Sequence, residues 1–111
     1  VHETGGRVPQ EFGLRQNYPN PFNPSTRLEF SVPRSAHVRI TIYDALGRNV
    51  AAPVEGDFRQ GNYSAVWSGA DERGSALPSG VYFARLLADP FSVDGRPESR
   101  VESTIRMVVL K

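Results

Sequence analysis

The stretch from Gly61 to Leu87, GNYSAVWSGADERGSALPSGVYFARLL, leaves this chain little choice of secondary structure. Tyr63, Ala65 and Trp67 alternate with Ser64 and Val66, the period of a strand with one buried face, and the run ends in the only tryptophan. Gly69, Gly74 and Gly80, with Asp71, Pro78 and Ser79 among them, supply turn geometry and oppose helix. Val81 to Leu87 then extends again, with Tyr82 and Phe83 pointing to opposite faces. These two strands close over one core. Trp67 is predicted inside it beside at least one of the two later rings, because aromatic burial dominates a small core.

The same alternation recurs on either side. Leu28, Phe30 and Val32 face one way and Arg27, Glu29 and Ser31 the other, and Pro33 ends the run. Val38, Ile40 and Ile42 are predicted inward, with His37, Arg39 and Thr41 outward. Asp44-Ala45-Leu46-Gly47 places Asp first and Gly fourth, as a hairpin turn requires. The return run, Arg48 to Val54, contains Pro53, which cannot donate to a ladder and so belongs at a sheet edge or a bulge. Glu55 to Asn62 reads as turn-rich, anchored by Phe58, and residues 88–99 as a surface hairpin loop. In the closing run RVESTIRMVVLK, Val101, Ser103, Ile105, Met107 and Val109 share one face, and Glu102, Thr104, Arg106, Val108 and Leu110 the other. Its apolar end predicts a central strand. The whole is an all-β antiparallel sandwich of about seven strands.

Ahead of the first regular strand the chain behaves differently. Residues 1–13 are polar and glycine-bearing and read as a linker from an upstream domain. Leu14 to Thr26 carries Pro19, Pro21 and Pro24 among Asn17, Asn20 and Asn23, which excludes helix and makes a stiff loop. Tyr18 and Phe22 are predicted to pin it to the domain. It is either a rigid packing loop or a recognition loop.

Composition closes several functional classes. With 111 residues, 39% of them hydrophobic, the chain fits one domain. Thirteen basic against twelve acidic residues, mixed along the chain, leave a charge of +1 and no footprint for nucleic acid. There is no cysteine, hence no disulfide framework or thiol chemistry. No apolar run reaches the roughly 18 residues of a transmembrane segment. The first residue is Val, so a fragment of a longer protein is expected.

Reactive constellations are lacking. His2 falls in the linker and His37 on an outward strand face, so neither is placed as an oriented base, and no enzyme activity is expected. Asp71 and Glu72 with Asp57 or Asp44 follow no metal-loop spacing, and Asp71 is more simply a turn residue before Gly74. No metal or cofactor is expected. Arg34, Arg39 and Arg48 read as a solvated face.

LRQNYPNPFNPST near the start, IYDALGR in the hairpin, WSGAD, LPSGVYF and the final IRMVVLK occur in an order that resembles the type A C-terminal sorting domains of the type IX secretion system. The strand pair around Trp67 is also similar to the Ig-like domain of flagellar hook-capping proteins. The resemblance covers Leu14 to Lys111. It implies an Ig-like sandwich that directs a fused, upstream cargo protein through an outer-membrane translocon of Bacteroidetes-type bacteria. A surface sortase-like protease then cleaves or anchors the product. The location implied is secreted or cell-surface, after transit through the periplasm. By resemblance, Gly80 and Tyr82 match the internal glycine-tyrosine motif. Arg106, Met107, Val108, Val109, Leu110 and Lys111 match the sorting strand. Asn17, Pro19, Asn20, Pro21, Phe22, Asn23 and Pro24 form the loop motif. The alternative is a carbohydrate-binding or spacer β-sandwich appended to a secreted hydrolase, with Tyr18, Phe22 and Phe91 as the available loop aromatics.

Overall fold

In the computed structural model, which describes residues 1–92 and 98–111, the chain forms eight strands among the described residues. They are β1 (His2–Thr4), β2 (Gly13–Leu14), β3 (Thr26–Val32), β4 (Ala36–Asp44), β5 (Asn49–Phe58), β6 (Gly61–Trp67), β7 (Gly80–Pro90) and β8 (Val101–Val109). Two four-stranded antiparallel sheets result, in the orders β1-β6-β3-β2 and β5-β4-β7-β8. No described helix is long and apolar enough to cross a membrane. The core lies between the sheets. Leu28, Phe30 and Val32 from β3 are buried, as are Val38, Ile40 and Ile42 from β4 and Tyr82, Ala84 and Leu86 from β7.

Trp67 closes one end of that core. It is 4% exposed, its ring lies 5.7 Å from that of Phe22, and its indole N–H donates to the Ala70 carbonyl at 3.2 Å. Towards the other end Phe30, Phe58 and Tyr63 cluster, with ring centroids 4.9 to 5.5 Å apart. Phe58 is therefore the anchor expected, but β5 continues as strand all the way to it, where turns are predicted. Pro53 is accommodated in both ways open to it. β5 is an edge strand, and the register passes from Ile40 opposite Val54 to Ile42 opposite Ala51, a bulge at Ala52 and Pro53. The Asp44 turn forms as read: Gly47 N–H donates to the Asp44 carbonyl at 2.9 Å with φ +83°, and the Asp44 carboxylate accepts from the Leu46 and Arg48 amides.

Several expectations are corrected. Thr41 is buried although it points outward, since a short side chain on a central strand sits opposite the long Arg85. Tyr18 is 80% exposed, so its ring pins nothing; its backbone does, pairing with Arg27 in both directions. β8 is an edge strand and not a central one. Its inner face buries Met107 and Val109 while Leu110 stays 58% exposed; alternation reports faces, not position in a sheet. Within residues 1–13, His2–Thr4 pairs with β6 as an exposed edge strand. Of the loop read at 88–99, Ala88 to Pro90 are strand and residues 93–97 lie outside the described residues.

Truncating Trp67 to Ala should cost roughly 3 to 5 kcal/mol, the range for buried aromatic truncations, measured by chemical denaturation.

Candidate recognition edge

The asparagine–proline loop and the last strand, separated by most of the chain, meet along one edge of the sandwich. β8 pairs with β7 on one side only, so every second residue turns its N–H and C=O away from the sheet. The loop takes up part of that row. Asn20 Oδ1 accepts from the Val108 amide at 2.9 Å, and the Phe22 amide donates to the Val108 carbonyl at 3.0 Å. The Leu110 amide donates to the Phe22 carbonyl at 3.1 Å, and the Gln16 side chain donates to the Arg106 carbonyl at 2.7 Å. Outward-facing residues are therefore Arg106, Val108 and, by the same alternation, Glu102 and Thr104.

The loop is held by its own polar and apolar anchors. Asn17, 2% exposed, donates to Thr26 Oγ1 at 3.0 Å and to the Pro19 carbonyl at 3.2 Å, and Thr26 Oγ1 donates to the same carbonyl at 2.8 Å. This satisfies groups that would be costly to bury unpaired. Phe22 is 2% exposed against Trp67. Gly69, with φ +72°, lets the Pro24 carbonyl approach so closely that a Cβ there would stand 2.4 Å from its oxygen. Pro19, Asn20, Pro21, Asn23 and Pro24 remain exposed.

The other singled-out residues gather at the same end. Gly80 opposes Val109 and Tyr82 opposes Met107 in the β7–β8 register. Tyr82 is buried, its hydroxyl donates to the Pro78 carbonyl at 2.7 Å, and burial pushes its phenol above the ordinary range. Lys111 is exposed, while its amide donates to Ser79 Oγ at 2.9 Å. Gln16 escaped the sequence reading, and Gly69 and Ser79 were read only as turn residues; the contacts they make depend on which backbone lies opposite, and no local pattern carries that.

The titratable groups among the described residues are engaged in turns and ion pairs. Among the described residues no three His, Cys, Asp or Glu side chains gather as a metal site. Asp71 caps its own turn, accepting from the Arg73 and Ser75 amides at 2.9 Å. Arg34 pairs with Glu98, Arg39 with Glu55 and Arg48 with Asp44. His37 lies outward between Asp57 at 2.8 Å and Glu55 at 3.3 Å, and hydrogen bonding to these carboxylates, Asp57 first, holds it above its ordinary value.

Residues 20–89 match the family of the FlgD Ig-like domain. No curated protein matches. Among solved structures the chain is similar to dimeric latent PorU from Porphyromonas gingivalis, at 20% identity and a TM-score of 0.71 over 96% of this chain. It spans only 10% of that protein. It is also similar to FLGD from P. aeruginosa, at 20% identity and a TM-score of 0.57, covering 91% of this chain and 70% of that one. At this identity the likeness establishes an Ig-like fold.

Replacing Asn20 by Ala removes the only side-chain acceptor of the Val108 amide among the described residues. Hydrogen exchange should then quicken at Val108 and stay unchanged at Met107, whose amide faces β7. A folded-state value for His37 above its unfolded 6.5 contributes stability that is complete below 6.5 and is lost as pH rises through the raised value. Thermal melts across that window should show a small decline that His37→Gln abolishes.

Proposed function

We propose, from the premise that this chain belongs to the FlgD Ig-like domain family, that it is a non-catalytic sorting domain that carries a fused upstream protein through an outer-membrane type IX translocon. The observation that supports this best is the union of loop and last strand. Asn20, Phe22, Arg106, Val108 and Leu110, all carried by the resemblance, are bonded into one edge, with Gly80 and Tyr82 on the neighbouring strand. Motifs that served packing in separate places would not need to meet. The length relation agrees: the chain corresponds to a tenth of the Porphyromonas protein, as a small module appended to a long chain would.

On this reading Arg106 to Lys111 form the element that the translocon recognises, and a surface protease cleaves or anchors the exported product. The domain then acts at the cell surface or outside it, having crossed the periplasm. Fold-level likeness alone assigns no such role, and the site must carry it. The carbohydrate-binding alternative finds little support in the loop aromatics. Phe22 is core, while Tyr18 adjoins Arg27 and Phe91 follows the far end of β7, so the two exposed rings lie at opposite ends of the sandwich.

In a host with the type IX system, a reporter fused ahead of residue 1 should reach the medium or cell surface, and remain periplasmic when residues 104–111 are removed. Lys111→Glu changes an exposed side chain whose only described bond is through the backbone, so it should leave stability within about 0.5 kcal/mol and still reduce export. Export of the truncated fusion at the level of the intact one would replace the sorting role by that of a spacer.

A further inference from the structure

The outward face of the β5-β4-β7-β8 sheet is divided into two unlike halves. Towards the start of β4 its charges are matched: His37 pairs with Asp57 and Glu55, Arg39 lies 3.9 Å from Glu55, and Arg100 pairs with Asp89 at 2.8 Å. Towards Lys111 the face changes character. Tyr43, Phe83 and Arg106 are cross-strand neighbours in one row, Val81 lies opposite Val108, and Arg85 lies opposite Thr41 and Thr104. Cross-strand partners share a face, so these side chains form one partly exposed apolar surface on three strands. Its charges are all positive. Neither Arg85 nor Arg106 has an acidic partner among the described residues; Arg85 Nε, like that of Arg39, is buried without a hydrogen-bond partner, and the Arg85 guanidinium lies 5.2 Å over the Tyr43 ring.

How a partner could reach the last strand follows from the same geometry. Strand addition needs free backbone groups on its edge, and from the Arg106 carbonyl to the Leu110 amide the loop already occupies them. What the folded domain still offers at that strand is its outward side chains, Arg106, Val108 and Leu110, and these run on without a break into Val81 and Phe83 of β7 and Tyr43 of β4.

We propose that the docking surface is this face and not the strand edge, and that its occupant is a protein surface of the export machinery presenting apolar side chains with carboxylates among them. The inference rests on the sorting reading and extends it to residues outside the last strand. Apolar area supplies the contact, and the two unpaired guanidiniums select a carboxylate-bearing partner over a basic one.

The test uses the reporter fusion in a type IX host, with melting curves of each purified domain. Phe83→Thr removes the ring and keeps a strand-forming residue, and Arg85→Glu reverses a charge; each should lower export about tenfold or more with the melting transition retained. Glu102→Lys, exposed on the ion-paired half, should export as the unaltered fusion does. Should either variant lose its melting transition, Arg85→Gln, which keeps the reach of the side chain, decides in its place. Normal export of the folded Phe83 and Arg85 variants, with export still lost on removal of residues 104–111, overturns the face and leaves the sorting reading standing. Export of the truncated fusion overturns the sorting reading itself. Increased export on Asn20→Ala with neutral Phe83 and Arg85 variants overturns the proposal in favour of strand addition. Retention on an acidic polysaccharide column that Phe83→Thr abolishes, with export unchanged, overturns it in favour of a glycan-binding face.

Discussion

An edge strand that bears apolar residues on both faces has to be closed off, and in this domain a loop from the other end of the chain does so. β8 would otherwise present a continuous row of unpaired amides and carbonyls beside half-buried apolar side chains, a template for indiscriminate pairing. Asn20, Phe22 and Gln16 satisfy that row where it is most apolar, from Arg106 to Leu110. The closure depends in turn on features spread along the sequence. Phe22 can lie there because Trp67 receives its ring, Pro24 because Gly69 has no Cβ, and the backbone turns because Asn17 and Thr26 satisfy the Pro19 carbonyl.

This arrangement divides labour between the two sides of the last strand. The inner face, Met107 and Val109, belongs to the core and fixes the strand against β7. The edge belongs to the loop. The outward face remains, and it is where arginines without an acidic partner among the described residues coincide with partly exposed rings. Under the proposed sorting role, a partner that reads the folded domain by its side chains needs no unfolding of the edge.

Charge is arranged for pattern more than for stability. The ion pairs on the outward face are solvent-exposed, and such pairs contribute little each. Their effect is to neutralise one half of the face and to leave the other distinctly cationic. His37 is the one member of that set whose charge responds near neutral pH, through the two carboxylates beside it.

Much of the fold was legible in the residues themselves. Period-two alternation identified the buried faces of β3, β4 and β6 and the strand character of β7, Pro53 identified an irregular edge, and Asp44 to Gly47 identified a hairpin, because each of these is a local steric or hydrogen-bonding preference. The loop of three prolines and the residues of the last strand were legible as motifs, though not as neighbours. What the tertiary structure alone decided is non-local: that β8 is an edge, that Tyr18 is turned to solvent while Phe22 is buried, that Thr41 is covered by its neighbours, and that Asn20 faces Val108. Alternation states which way a side chain points, whereas the order of strands in a sheet and the backbone lying opposite are settled by packing between segments far apart in sequence, which no local pattern encodes.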